Sequence, residues 1–186
     1  NNIKIEGLSD IENSKISNEI SNLLYRNIFF MKKKEINKVM NKYNIIEEYN
    51  IKRIYPSTIK VIIKPTKYLA RVSNEDQLLV GANGKLIKAE DNVEKLPYIF
   101  GEFNSKDFLI IKKSIDHSKF TFNELKTLFF FKSNRWDILT NNDILIKLPL
   151  KNSLKSLNLA YKIISNGDFE KSKIIDLRIK NRLILK

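Results

Sequence analysis

The chain has 186 residues, 42% of them hydrophobic, which is enough for one large domain or two small domains with packed cores. It contains no cysteine, which excludes disulfides and thiolate chemistry, and no apolar run approaches the roughly 20 residues of a membrane span. The net charge of +13 suits nucleic acid or an anionic membrane surface, but the lysines are dispersed and only Lys32–Lys34 form a cluster.

The first third of the chain predicts a strand and two helices. Apolar residues within 3–8 suggest a short strand that ends in a turn at Gly7. Ser9 or Asp10 is expected to cap a helix with apolar residues near helical spacing. These residues are Ile11, Ile16, Ile20, Leu23 and Leu24. After an apolar loop, a second short helix is expected at Lys34–Tyr43. Its inward residues are Ile36, Val39, Met40 and Tyr43.

The next segment predicts a β-hairpin. Apolar residues alternate with lysines over 59–64, which is the period of a strand with one buried face. Pro56 suits a turn because its φ is fixed and it lacks an N–H, and Ser57 has a short side chain that can hydrogen-bond locally. We therefore predict antiparallel strands at Ile45–Ile54 and Thr58–Lys64, and the order strand, helix, helix, strand, strand.

These residues resemble a known family. In the run Lys52–Val61, residues Arg53, Tyr55, Pro56 and Ser57 precede the strand, as in the POTRA domain of the bacterial division protein FtsQ, called DivIB in some bacteria. In that family a Trp is usual where this chain has a Tyr. The same resemblance extends to Ile3–Gly7, Asn27–Phe30 and Val39.

After Ala70 the pattern changes to short strands and turns. A hairpin is expected at 78–87, because the Asn-Gly pair in its turn tolerates a positive φ. The spacing of Gly81–Lys85 is too short for a P-loop. Further strands are predicted at 125–131, 133–140, 144–148 and 173–180, and whether 182–185 add another strand stays open. Helices are predicted at Lys106–Ser114, capped by Asn104 or Ser105, and at Ser153–Ser165, capped by Ser153.

The second half also resembles this family, most specifically at Ile175–Arg178, the Ile-Asp-Leu-Arg strand on which the family ends its β-domain. Leu96–Gly101 and the strand around Trp136, which we expect in the core, support the same match. The resemblance implies an α+β fold with an N-terminal POTRA domain (β-α-α-β-β) over 1–69. An antiparallel β-sheet domain with flanking short helices would follow over 70–186.

The sequence offers no recognisable catalytic group. His117 is the one histidine, and no nucleophile motif accompanies it. We therefore expect His117 to lie in a solvated loop. Glu47 and Glu48 are adjacent in a strand and therefore point to opposite faces. No His, Cys and carboxylate cluster has ligand spacing. We expect a non-enzymatic protein with no cofactor and no metal.

The resemblance implies a protein that binds partners through an exposed strand edge. In the family, the partners are FtsB and FtsL, and FtsB adds a strand to the last strand of the sheet. The partner-binding residues expected here are Arg135, Ile175, Leu177, Arg178, Ile179 and Lys180. Ile175 and Leu177 equally suit plain core packing. Arg53 and Tyr55 are expected either to mark a recruitment surface for upstream division proteins or to shape the hairpin corner.

No signal peptide is visible, and the chain starts abruptly at Asn1, so we expect an excised soluble part of a longer protein. The resemblance implies a periplasmic location at the division septum, with one upstream helix in the inner membrane. Two alternatives remain. One is a POTRA-type module of an outer-membrane assembly or transport protein. The other is a basic nucleic-acid-binding domain, which would gather Lys and Arg with exposed aromatics on one face; we expect no nucleic acid.

Overall fold

The computed structural model divides the chain into two compact units, 1–67 and 68–186. The structure describes residues 2–23, 33–73, 78–88, 95–166, 173–179 and 184–185.

The first unit has the predicted element order β-α-α-β-β. Its strands are β1 (Asn2–Glu6), β2 (Ile46–Ile54) and β3 (Thr58–Pro65), and its helices are α1 (Asp10–Leu23) and α2 (Lys33–Met40). The sheet order is β1-β3-β2, with β3 parallel to β1 and antiparallel to β2. The predicted hairpin is confirmed to within one residue at each outer end.

Local chemistry explains where α1 begins. The N–H of Glu12 donates to Ser9 Oγ, and Glu12 Oε2 accepts the N–H of Ser9, which is a capping box. Ile16 and Ile20 are buried, as predicted, but Ile11 is 68% exposed. The expected inward position of Ile11 is wrong because it lies about 140° around the helix from Ile16. The side chains of Leu23 and Leu24 and the loop at 28–30 lie outside the described residues.

The described residues of the second unit form a nine-stranded sheet and two α-helices. The strands are β4 (Tyr68–Val72), β5 (Leu78–Gly81), β6 (Leu86–Lys88), β7 (Tyr98–Phe100), β8 (Leu125–Phe131), β9 (Arg135–Thr140), β10 (Leu145–Lys147), β11 (Ile174–Asp176) and β12 (Ile184–Leu185). The helices are α3 (Ser105–Asp116) and α4 (Ser153–Ser165). A short 3₁₀ turn, Phe122–Glu124, precedes β8.

The α+β class is as predicted, but the second sheet is mixed and not wholly antiparallel. Its order is β12-β11-β10-β9-β8-β7-β4-β5-β6, and β7 pairs in parallel with both β4 and β8, as β10 does with β11. Two of these parallel pairs are joined through helices, β7–α3–β8 and β10–α4–β11. Neighbouring parallel strands cannot be joined by a tight turn and need a crossover connection. Helices α3 and α4 provide that connection for these two pairs.

The two helices cover one face of this sheet and form its core with alternate strand residues. The core contains Phe108, Ile111 and Ile115 of α3, Leu157 and Ala160 of α4, and Ile99, Leu128, Trp136, Ile138, Ile146 and Ile175 of the strands. As predicted, Asn104 caps α3, because its Oδ1 accepts the N–H groups of Lys106 and Asp107. The predicted cap Ser153 is wrong: it is the first residue of α4, and Asn152 precedes it at φ +66°.

Two glycines of the second unit offer a matched test of backbone packing. Gly101 has φ +101°, and a Cβ there would lie 2.1 Å from the carbonyl oxygen of Phe130. Gly84 has φ +77°, but its nearest neighbours would be the side-chain carbons of Leu109, beginning at 3.0 Å. Both substitutions strain the backbone, and only the first meets a backbone atom that cannot move aside.

We expect Gly101→Ala to lower the free energy of unfolding by roughly 3 kcal/mol or more, and Gly84→Ala by about 1 kcal/mol. Denaturant unfolding followed by circular dichroism measures both values. Equal losses in the two variants would contradict the close approach of Gly101 to β8.

Candidate functional site

The site predicted from the sequence lies at the β9–β12 end of the second sheet. Strand β12 is the outermost strand and pairs antiparallel with β11, with Ile175 opposite Leu185 and Asp176 opposite Ile184. The further strand that the sequence left open is therefore formed by 184–185. Its presence moves the outer edge of the sheet from β11 to β12.

The expected partner-binding residues fall into different environments. Ile175 and Leu177 are buried in the core, so their side chains are not accessible to a partner. Arg178 and Ile179 lie beyond the end of β11, and Ile179 is 51% exposed. Lys180 lies outside the described residues.

The predicted strand ends early because Asp176 binds the residue two positions later. The backbone N–H of Arg178 donates to Asp176 Oδ1 at 3.1 Å. Such a local bond competes with a strand ladder for the N–H. Placing Arg178 and Ile179 in a strand was therefore wrong.

The structure connects Arg135 and Arg178 through a row of charged residues. Asp137, Lys147 and Asp176 are direct cross-strand neighbours on β9, β10 and β11. At one end of this row Arg135 Nε donates to Asp137 Oδ1 at 3.1 Å, and at the other Arg178 Nε donates to both carboxylate oxygens of Asp176, at 2.8 and 3.0 Å. We call these five residues the charged row.

Sequence reasoning missed the three central members of the charged row. The signal for two of them was present, because Arg135 and Asp137, like Asp176 and Arg178, are two residues apart. Residues at that spacing share one face of an extended chain. Lys147 had no such signal, since its place between the carboxylates depends on the pairing of β10 with both neighbours.

The two carboxylates of the charged row differ in pKa. Burial raises the pKa of Asp137, and the hydrogen bond and charge of Arg135 together with Lys147 oppose that rise. The hydrogen bond from Arg178 holds the pKa of Asp176 below its ordinary value, against a smaller opposing effect of burial. Asp176 is thus ionised at neutral pH and orients the half-exposed Arg178.

The expected recruitment residues lie at the tip of the β2–β3 hairpin. Arg53 is an exposed residue of β2 opposite Ile59, and Tyr55 follows in the turn with 81% of its surface exposed. The Tyr55–Pro56 peptide bond is cis. The tip therefore presents an aromatic ring and a guanidinium on one corner of the first unit.

The histidine and the carboxylates bear on whether the chain could hold a metal ion or a catalytic group. His117 is exposed, and its Nδ1 lies 2.8 Å from the carbonyl oxygen of Lys113. Within the ranges that the structure describes, no three His, Cys, Asp or Glu residues gather closely enough to hold a metal ion. The charged row can form hydrogen bonds and ion pairs with another molecule, and it contains no paired nucleophile and base.

None of the helices in the described part of the chain is long and apolar enough to span a membrane.

The first unit has the β-α-α-β-β order of a POTRA domain, and a larger mixed sheet follows it, so the chain is a POTRA-bearing protein with a β-domain. Residues 1–64 match the family described as "POTRA domain, FtsQ-type", and residues 70–178 match "Cell division protein FtsQ/DivIB, C-terminal". The second match alone covers more than half of the chain. The chain therefore belongs to the FtsQ/DivIB family of cell division proteins.

A solved structure is similar over part of the chain. It is the major extracytoplasmic domain of the trans isomer of the cell division protein DivIB from Geobacillus stearothermophilus, with 12% sequence identity and a TM-score of 0.43. The similarity covers 57% of this chain and 98% of that one. No curated protein sequence matches.

We expect Asp176→Asn to lower the stability of the second unit at pH 7. The pKa of Asp176 is below its ordinary value of 3.8, so its ionised form stabilises the fold above that pH. This contribution is lost as the pH falls through the lowered pKa. The difference in unfolding free energy between parent and variant should therefore be largest near pH 7 and shrink below about pH 4.

The matched control is Asp143→Asn. Asp143 also pairs with a cation, Lys126, but both side chains are more than half exposed, so its loss should change stability little. Urea unfolding of the parent and both variants at pH 7 and pH 3 gives the change in unfolding free energy for each variant at each pH. A pH-independent effect of Asp176→Asn would contradict the role assigned to its ionised form.

Proposed function

We propose that this chain is the extracytoplasmic part of a divisome scaffold that binds FtsB and FtsL and catalyses no reaction. In this proposal one upstream helix anchors it in the inner membrane, and this part lies in the periplasm at the division septum. Membership of the FtsQ/DivIB family supports a role in cell division. The extracytoplasmic origin of the similar DivIB domain is consistent with the location.

The observation that carries the binding proposal is the outer edge of β12. This strand has two residues, and its pairing partner β11 lies on one side. Main-chain N–H and C=O groups at a sheet edge can accept another strand. We propose that a segment of FtsB adds to β12 and extends the nine-stranded sheet.

Side chains next to this edge would give the contact its specificity. Arg178 is held by Asp176 yet keeps 43% of its side chain exposed, and Ile179 beside it is an exposed apolar group. In this proposal a partner carboxylate meets Arg178 or Lys180, and an apolar partner residue covers Ile179. Arg135 contributes at the far end of the charged row. Ile175 and Leu177 contribute indirectly, because their buried side chains hold β11 in place next to β12.

Removal of β12 tests the binding edge. A chain that ends at residue 180 keeps the core residues Ile175 and Leu177 but lacks the outermost strand. We expect its affinity for the periplasmic FtsB–FtsL region of the same organism to fall at least tenfold, about 1.4 kcal/mol. Titration calorimetry at physiological salt measures the affinity, and circular dichroism confirms that the fold is intact.

Each other outcome of this binding experiment would lead to a different conclusion. Tighter binding by the shortened chain would mean that the partner replaces β12 on β11. Equal binding would move the site away from this edge. Absence of binding by the parent would remove FtsB and FtsL as its partners.

We also propose that Arg53 and Tyr55 form a recruitment surface for upstream division proteins. Because Tyr55 is 81% exposed, Tyr55→Ser should leave the melting temperature of the first unit nearly unchanged. A fluorescent fusion of the full-length protein should nevertheless lose most of its septal localisation. Normal localisation of this variant would leave these residues with a structural role at the hairpin corner.

A further inference from the structure

The three-stranded sheet of the first unit has one face on which its helices pack and one on which they do not. Ile59, Val61 and Ile63 of β3 are buried with residues of α1 and α2. Successive strand residues point to opposite faces, so Lys60 and Ile62 lie on the side away from the helices. We call this side the lysine face. By the pairing of the strands, its residues are Asn2, Lys4, Glu6, Glu48, Asn50, Lys52, Ile54, Thr58, Lys60, Ile62 and Lys64.

Three lysines of this face stand side by side across the sheet. The pairing places Lys4 of β1 and Lys52 of β2 on either side of Lys60 in β3, and we call these three the lysine row. Like charges directly opposite each other on neighbouring strands repel and lower stability. Folding alone therefore gives no reason for this row.

The charge of the lysine row is only partly neutralised. Lys60 Nζ lies 2.9 Å from the carboxylate of Glu6. Lys4 and Lys52 are both exposed, and neither forms an ion pair within the part of the chain that the structure describes. Two cations on one face thus remain available to an anion outside the chain.

Exposed apolar side chains lie next to the lysine row. Ile54 is 48% exposed and follows Lys52 by two residues on the same face, and Ile62 is 38% exposed and follows Lys60 in the same way. Tyr55, next to Ile54 in the hairpin turn, is 81% exposed. Lysines mixed with exposed apolar groups and a tyrosine are typical of a surface at a membrane–water interface.

Nucleic acid offers the same phosphates as a lipid surface, but it fits the apolar groups less well. Proteins that bind single strands stack the bases on aromatic side chains, whereas the apolar residues of the lysine face are isoleucines. An aliphatic side chain is instead suited to the boundary between lipid headgroups and acyl chains. A second copy of the chain is a poor occupant, because it would set two lysine rows against each other.

The start of β1 lies at the same end of the sheet as the hairpin turn. β1 is parallel to β3, and the N–H of Asn2 donates to the carbonyl oxygen of Ser57 at 3.0 Å. Lys4 is two residues further along β1, or about 7 Å. In the proposed function an upstream helix anchors the chain in the inner membrane. A chain that leaves the bilayer shortly before β1 would bring this end of the lysine face to the membrane surface.

We propose that the lysine face lies against an anionic phospholipid bilayer. The lysine row meets the lipid phosphates, and Ile54 enters the boundary between headgroups and acyl chains. The setting rests on the proposed function, since the bilayer is the one that holds the upstream helix. The contact adds to the anchor and fixes how the first unit is oriented on the membrane.

The probe is a set of sucrose-loaded vesicles made of equal parts phosphatidylglycerol and phosphatidylcholine, with pure phosphatidylcholine vesicles for comparison. Because a chain of net charge +13 is attracted to any anionic surface, the variants must be matched in charge. The test variant is Lys4→Gln/Lys52→Gln. The control is Lys106→Gln/Lys155→Gln, which removes two exposed lysines from α3 and α4.

A second pair of variants tests the apolar part of the contact. Ile54→Ser removes the exposed isoleucine of the lysine face. Ile110→Ser removes one that is 66% exposed on α3 of the second unit. Vesicle sedimentation at physiological salt measures the partition coefficient of every protein, and thermal unfolding followed by circular dichroism measures its melting temperature.

We expect the parent to bind the anionic vesicles and not the phosphatidylcholine vesicles. Lys4→Gln/Lys52→Gln should weaken binding roughly tenfold or more, and the charge-matched control by less than about threefold. Ile54→Ser should weaken binding by about threefold, and Ile110→Ser should leave it unchanged. The melting temperature of Lys4→Gln/Lys52→Gln should not fall, because the substitutions relieve repulsion within the row.

Three results would overturn the proposal: no binding of the parent to anionic vesicles, equal losses in the two lysine variants, or unchanged binding by Ile54→Ser. Tighter binding of the parent to a soluble oligothymidylate than to vesicles, lost in Lys4→Gln/Lys52→Gln, would identify nucleic acid as the occupant.

The outcome is separable from that of the proposed function. Lys4→Gln/Lys52→Gln should bind the periplasmic FtsB–FtsL region as tightly as the parent does, because β12 belongs to the second unit. Vesicle binding without FtsB–FtsL binding would remove the scaffold proposal alone. The reverse result would remove only the membrane contact.

Discussion

Packing of α3 and α4 on one face of the nine-stranded sheet is the interaction on which the surface chemistry of the second unit depends. It draws Ile138, Ile146 and Ile175 into one core. Because strand residues alternate between faces, their neighbours Asp137, Lys147 and Asp176 must then lie together on the other side. The core and the charged row are thus two consequences of one alternation.

The charged row also explains how the end of the sheet is held in register. A buried carboxylate is costly without a partner, and Asp137 and Asp176 each have an arginine two residues away and Lys147 between them. A shift of β10 by one residue would place Lys147 on the opposite face and leave both carboxylates without it. A shift of β11 by one residue would move Asp176 to the opposite face, away from Lys147. The same contacts leave Arg178 partly exposed next to the outermost strand, where the proposed partner would bind.

Much of the fold was predictable because its signals are local. The β2–β3 hairpin follows from alternation and a Pro-Ser turn, the start of α3 from Asn104, and the full extent of α4 from helical spacing. The candidate site was predictable only in part. Arg135 and Arg178 were singled out through the family resemblance, whereas Lys147 joins them through pairings between distant segments. The predicted antiparallel sheet failed for the same reason, since parallel pairs depend on where each helix crosses over.

The sequence by itself determined the family, the order of the elements and which residues alternate along each strand, because motifs and periodicities are properties of neighbouring residues. The tertiary structure decided which face of each strand is buried, which strand is outermost and which charges meet. These depend on contacts between residues far apart in the chain, as the pairing of Asp176 with both Lys147 and Ile184 illustrates. Strand β12 thus became the edge, and the charged row came together, only when the nine strands were assembled.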